Sequence, residues 1–167
     1  MNRIGVLSDT HGNMDATKTA LDYFTKEKIE ILLHAGDLGN PRQMMPLFSS
    51  NQVYFAKGNC DDLAEMKEAC KNETKQSADQ NFIIEFEHCR IFLFHGDKPV
   101  DTGLLLEKKI DYVIKGHTHC PEDYRKNGIR ILNPGALHRS PRYTIGVLDM
   151  ESGNWTLQEV NKTRNSV

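Results

Sequence analysis

Two histidines separated by one threonine close the stretch YVIKGHTHC, residues 112–120. Imidazole is the commonest metal ligand and the usual proton carrier near neutral pH, but one such pair does not separate a metal site from a solvated turn. Four other places in the chain repeat the arrangement. One apolar run ends in SDTHGN, with Asp9 and His11, and the next in HAGDLGN, with Asp37. A third ends in AKGNCDD, with Asn59, Cys60 and Asp61, and a fourth in FHGDK, with His95 and Asp97. The fifth is the GHTH run itself, with His117 and His119. Glycine beside the donors lets the backbone turn sharply and lets side chains point at a shared centre. Singly, each has a plainer reading: Asp9 and Asp37 as helix caps, Asn59 as a turn residue, His95 as a surface histidine. Together they offer two carboxylates, one amide and four imidazoles, a set that suits Mn, Fe, Co, Ni or Zn better than Ca or Mg. Seven side chains are too many for one such ion and fit a pair, with one carboxylate bridging ions roughly 3.5–4 Å apart as in two-metal hydrolases.

The elements that must position these donors alternate at first between strand and helix. Arg3–Leu7 and residues 30–37 read as strands, the second apolar throughout and suited to burial on both faces. Between them Leu21 and Phe24 fall on one helical face. Pro41 suits the first position of a second helix. Residues 52–59 are a third strand and 61–72 a third helix with acidic residues at its start. Hairpins follow: NFIIEFE with RIFLFHG turning at His88 and Cys89, then, after a short helix GLLLEKK and a strand DYVIKG, EDYRKNGIRILNPG. The latter carries Asn127–Gly128, a strong type I′ turn signal. A last hairpin turns at residues 151–154, and the tail NKTRNSV is expected to fray. In such sheets ligands bind beyond the carboxyl ends of strands, so five sequence-distant turns converge on one place. The order implies an α/β layered domain, residues 1–167, with a mixed central sheet and a second sheet stacked on it.

Composition narrows the function classes. A net charge of -2 does not favour a sequence-independent nucleic-acid binder. The chain has no apolar run long enough to span a bilayer, and MNRIGVLSDTHG lacks a signal-peptide layout, so the expected location is cytoplasmic. None of Cys60, Cys70, Cys89 and Cys120 sits in a C-x-x-C pair, so free thiols are expected. The hairpin edges offer surfaces on which a homo-oligomer could pair.

The combination DTH, GD, GNCD, HGD and GHTH, followed by LNPGAL at 132–137, resembles the calcineurin-like metallophosphoesterase superfamily, and within it the small single-domain phosphodiesterase branch of bacteria and archaea. The motifs run from residue 9 to residue 137. The resemblance implies a four-layer α/β/β/α sandwich with mixed sheets. It also implies a ligand assignment: Asp9, His11 and His119 on one metal, Asn59, His95 and His117 on the other, Asp37 between them. The two histidines of GHTH would then serve different ions. The implied cofactor is a pair of divalent ions, Mn²⁺ first, with Ni²⁺, Fe²⁺, Co²⁺ or Zn²⁺ admitted by the same donors.

The chemistry implied is hydrolysis of a small-molecule phosphate ester, a diester first, by in-line attack of a metal-bridging hydroxide. Many larger members carry histidine where this chain has Cys60, and a neutral thiol is a poor substitute for a general acid. The candidates for protonating the leaving group are a metal-held water, Asp61 and His138. Asn13, Arg139 and Arg142 are candidate phosphate or substrate contacts, the arginines because a guanidinium matches phosphate geometry. Asp97 replaces a histidine common among small members, and either orients a ligand or shapes the substrate pocket. Competing readings are a nuclease or phosphomonoesterase, and a non-catalytic scaffold like a retromer subunit that resembles this family. That subunit has degraded ligand positions, whereas all seven are intact here.

Overall fold

The computed structural model describes residues 2–71 and 73–160. The expected fraying of the tail lies outside the described residues. Two sheets stack face to face. The first has six strands: β1 (Arg3–Leu7), β2 (Ile31–His34), β3 (Gln52–Ala56), β4 (Gln76–Asp79), β10 (Tyr143–Asp149) and β11 (Trp155–Val160), in the order β11-β10-β1-β2-β3-β4. The second has β5 (Phe82–Glu85), β6 (Arg90–Leu93), β7 (Tyr112–Ile114), β8 (Glu122–Lys126) and β9 (Ile129–Asn133), in the order β5-β6-β7-β9-β8. Both sheets are mixed. β1 to β4 are parallel, as are β6, β7 and β9, while the hairpin strands β5, β8, β10 and β11 pair antiparallel to their neighbours.

Side-chain alternation sorts the core into three layers. Ile4, Val6, Leu33 and Ala56 of the first sheet meet Ile91, Leu93, Ile114 and Leu132 of the second. Their neighbours Leu32, Val53, Phe55, Ile145 and Val147 point the other way, onto the helices. On the far face of the second sheet Phe92, Val113 and Ile129 receive Leu105 from a helix. Strands buried on both sides must be apolar at every position, which is why ILLH carries no period-2 signal. The outcome is the expected α/β/β/α arrangement.

The helices are α1 (Met14–Lys26), α2 (Pro41–Met44), α3 (Leu63–Cys70) and α4 (Thr102–Glu107). α1 buries Ala16, Ala20 and Phe24 at intervals of four and is capped by Asn13, whose side chain accepts from the Ala16 N–H. Pro41 opens α2 as expected, and a 3₁₀ turn, Met45–Phe48, extends it. α3 begins two residues later than expected because Asp62 is its cap, accepting from the Ala64 and Glu65 N–H groups. Asp61 is therefore outside the helix. The strand β4 has no counterpart in the sequence reading: QSAD is short and polar, an edge strand recruited by parallel pairing with β3. The turn at Asn127–Gly128 has both residues at positive φ, 52° and 85°, as a type I′ turn requires. All four cysteines are free. Among the described residues no helix is long and apolar enough to cross a membrane.

Candidate metal centre

β1, β2 and β3 in one sheet and β6 and β7 in the other all end at one edge of the sandwich, and the seven expected donors meet there. The backbone joins the loops before the side chains do. Asp9 N donates to Gly36 O at 2.9 Å, His11 N to Asp37 O at 2.9 Å, and Gly116 N to His95 O at 2.8 Å. Two glycines make this approach feasible. A Cβ on Gly116 would sit 1.8 Å from Ser8 Oγ and 2.6 Å from Asp9 Oδ2, and one on Gly58 would sit 2.1 Å from Asp37 Oδ1. No side chain fits in either place, so the loop after β7 can press onto β1 and the loop after β3 onto Asp37 only because both residues are glycine. Asp9, His11, Asp37, His117 and His119 all adopt positive φ, between 43° and 70°. Left-handed backbone at so many non-glycine donors is strain that the surrounding hydrogen bonds hold in place, and it concentrates here as it does at functional sites.

The donors form two groups that share one carboxylate oxygen. In the first, Asp9 Oδ1 lies 3.2 Å from His119 Nε2 and 4.0 Å from His11 Nε2, and His11 Nε2 lies 3.5 Å from Asp37 Oδ2. In the second, Asn59 Oδ1 lies 3.0 Å from His95 Nε2 and 3.1 Å from His117 Nδ1, and His95 Nε2 is again 3.5 Å from Asp37 Oδ2. Asp9, Asp37 and His95 are buried and form a floor; His11 and His119 are half-buried, and Asn59 and His117 are exposed at the rim.

Three observations fit a cation between them. Asp9 is fully buried and its Oδ1 accepts no hydrogen bond, an unfavourable state for a carboxylate oxygen. His95 Nδ1 donates to Ala35 O at 2.8 Å, which turns Nε2 toward Asn59 Oδ1. Asn59 Nδ2 points away to Cys60 Sγ, so the Asn59 oxygen faces His95 Nε2 at 3.0 Å. Burial pushes the His95 pKa down, but Asp37 and the Ala35 carbonyl outweigh it and raise it, so a proton on Nε2 can hold this contact where no cation does. Donors about 2.1 Å from one octahedral ion stand about 3.0 Å apart, so the spacing of these two atoms also fits a cation between them. Asp37 Oδ1 is held separately by Cys60 N at 2.9 Å, leaving Oδ2 to both groups. Burial pushes the Asp37 carboxyl up, but the His95 contact and the Cys60 N–H outweigh it and hold the group well below the usual range. It is a carboxylate at any working pH.

The remaining candidates fare differently. Asp61 lies under the loops rather than over them: Oδ1 accepts from Leu38 N at 2.9 Å and Gly39 N at 3.4 Å, and Oδ2 from Gly58 N at 2.9 Å. With both oxygens engaged and 8 % exposure it braces the Asp37 and Asn59 loops, and the expectation of a proton donor is corrected on that ground. Burial raises its pKa, against the three N–H donors. Asn13 is largely committed, its Oδ1 capping α1 and one N–H of Nδ2 donating to Leu137 O at 2.7 Å, which leaves it a single amide hydrogen. His138 does reach the rim, its ring centroid 5.1 Å from that of His11. Burial, with His11, Arg139 and His119 nearby, lowers its pKa. Arg139 is exposed beside it with φ 45°, and Arg142 is also exposed. The Cys60 thiol is pushed up by burial and by the Asp37 charge, so it stays protonated.

Sequence reasoning missed two supporting residues. Asn133 is fully buried; its Nδ2 donates to Gly116 O and Thr118 Oγ1, both at 3.0 Å, clamping the GHTH loop. His34 stands three residues before Asp37, at the same kind of strand end as the donors, but faces inward. Its Nε2–H donates to Thr10 Oγ1 at 3.0 Å, the Thr10 hydroxyl donates to Leu38 O at 2.9 Å, and Nδ1 accepts from Gly36 N at 3.3 Å. Complete burial lowers its pKa to about 3, with His95 adding to the effect. The unfolded chain then binds a proton that the folded chain refuses. The stabilising contribution is whole above pH 6.5 and is lost as pH falls toward 3, about 2 kcal/mol of it between pH 7 and pH 5. Urea unfolding of the metal-free chain across that range should show this slope, and His34→Gln should remove it; equal slopes would contradict the assignment.

A model of the calcineurin-like phosphoesterase superfamily domain matches residues 2–153. The chain is 28 % identical over 155 residues to phosphodiesterase MJ0936 of Methanocaldococcus jannaschii, covering 89 % of this chain and 93 % of that protein. The solved structure of an archaeal phosphodiesterase superposes with a TM-score of 0.79 at 24 % identity, over 95 % of this chain and 99 % of its own. Wild-type Vps29 of Entamoeba histolytica, solved as a complex with zinc, shares the fold with a TM-score of 0.65 at 19 % identity, over 95 % of this chain and 98 % of its own. Motifs, layered architecture and family match agree, and the chain belongs to the calcineurin-like phosphoesterase superfamily.

Proposed function

We propose that this protein is a metal-dependent phosphodiesterase that hydrolyses a small phosphate diester at a dinuclear centre. Asp9, His11 and His119 would hold one divalent ion, Asn59, His95 and His117 the other, and Asp37 Oδ2 both. The observation that carries the reading is the pair of donor groups meeting on that one oxygen, 3.5 Å from His11 Nε2 on one side and 3.5 Å from His95 Nε2 on the other. Mn²⁺ is our first choice of ion. When bound, such ions supply Lewis acidity, which offsets phosphoryl charge and acidifies water into the neutral range.

The protein's own residues do the rest. Two carboxylates against two divalent charges leave the centre net positive, which favours an anionic ester. The buried floor of Asp9, Asp37 and His95 holds the donors rigid, so little reorganisation accompanies reaction. Arg139 at the rim can pair with a non-reacting phosphoryl oxygen. A new P–O bond to water forms as the P–O bond to the leaving alcohol breaks; the attacking water gives up one proton to solvent and the alkoxide takes one up. His138 reaches the rim beside His11, but its lowered pKa favours the neutral ring, so water is the better source of that proton. Four free thiols suit a reducing compartment such as the cytoplasm. The intact donor set favours an enzyme over a scaffold. With Mn²⁺ the protein should cleave bis(p-nitrophenyl) phosphate, and chelation should abolish the reaction. No turnover with Mn²⁺, Ni²⁺, Co²⁺, Fe²⁺ or Zn²⁺ would defeat the proposal.

A further inference from the structure

The motif HGD leaves Asp97 with no task among the donors: its carboxylate makes no hydrogen bond or ion pair with another described residue. Asp97 instead lines a cavity of about 290 Å³ with Gln80, Asn81, Phe92, Phe94 and His95. That volume is at the lower end for small-ligand pockets, roughly 300 Å³. The cavity opens at the same edge as the metal centre. Phe94 and His95 follow the C-terminal end of β6, and Gln80 and Asn81 lead into β5, its antiparallel neighbour. His95 belongs to both places, as a lining residue of the cavity and as one of the candidate donors.

The lining has two kinds of surface. Phe92 and Phe94 stack with centroids 5.2 Å apart and planes 27° from parallel. Phe92 is buried and Phe94 half-buried, so Phe94 is the ring open to a ligand and Phe92 backs it as a fixed apolar wall. Around it stand the side-chain amides of Gln80 and Asn81, both exposed and without a hydrogen-bond partner among the described residues, and the carboxylate of Asp97. An alkyl group would use the wall alone, and a sugar would meet it with C–H groups rather than a flat face. A purine or pyrimidine uses both, its face against Phe94 and its ring nitrogens and amino groups against the amides and carboxylate.

We propose that this cavity is a nucleobase subsite, which makes the substrate a nucleotide-class diester. The small net charge of -2 favours a mononucleotide or dinucleotide over a polymer. The inference rests on the phosphodiesterase reading for its meaning but is tested without turnover. Calorimetric titration of the Mn²⁺-supplied protein with adenosine 5′-monophosphate and with ribose 5-phosphate isolates the base, because both ligands carry the same phosphate. The nucleotide should bind about tenfold more tightly or better, the effect of one base stack. Phe94→Ala should lower that ratio, and so should Asn81→Ala, an exposed site whose replacement does not threaten the fold. Nucleotide binding no tighter than ribose 5-phosphate, or a ratio that neither variant lowers, overturns the subsite. Failure to hydrolyse any diester would instead count against the activity and leave this ratio standing.

Discussion

Asp37→Ala should lower phosphodiester turnover about a thousandfold, because on the proposed reading it removes the ligand common to both ions and with it several kcal/mol of transition-state stabilisation. No other donor approaches both groups as Asp37 Oδ2 does, 3.5 Å from an imidazole of each. Alanine also removes the acceptor for Cys60 N, so a loss of fold could mimic a loss of chemistry. Asp37→Asn separates the two. It keeps the size and an oxygen for the Cys60 N–H, but loses the charge and half of the bridging capacity. It should melt near the parent and still lose most of the turnover. An Asp37→Asn protein that turns over within tenfold of the parent would show that this oxygen is not shared.

The largest effect on stability is expected at Asp61, which touches none of the seven donors' side chains. Its carboxylate accepts from Leu38, Gly39 and Gly58, and alanine would leave three backbone N–H groups without their acceptor beneath a closed loop. Charge-assisted bonds of this kind, and the penalty for the orphaned donors, put the loss at about 3–5 kcal/mol. By contrast the exposed pair Lys67–Asp79, at 3.2 Å, should be worth under about 1 kcal/mol. Asp61→Ala should therefore shift the urea midpoint far more than Asp79→Ala. Because Leu38 and Gly58 flank Asp37 and Asn59, it should also weaken Mn²⁺ binding. Similar midpoints for the two variants would contradict the brace.

Much of the site was legible because its signal is positional. DTH, GD, GN, HG and GHTH each follow an apolar run, and parallel strands place their C-terminal ends together whatever lies between them. The layered fold was legible for a related reason: strand–helix alternation followed by hairpins leaves few ways to bury every apolar face. What escaped was decided by contacts that no local pattern encodes. QSAD becomes a strand because β3 has an open edge, not because its residues favour one. Asp61 stands in a cluster of acidic residues that looked like a helix start, yet it turns inward while its neighbour Asp62 caps the helix. Asn13 reads as a loop amide until Leu137, far along the chain, takes its N–H. His34 ends β2 and His95 follows β6 by two residues, but one is closed off by Thr10 and the other opens onto Asn59, a distinction made by packing alone.

The most direct test is the number of ions held by the protein and by its Asp37→Asn variant, measured by elemental analysis after Mn²⁺ loading and gel filtration without chelator. The account predicts two per parent chain and at most one tightly held in the variant. A parent that retains none, or a variant that still retains two, would contradict it.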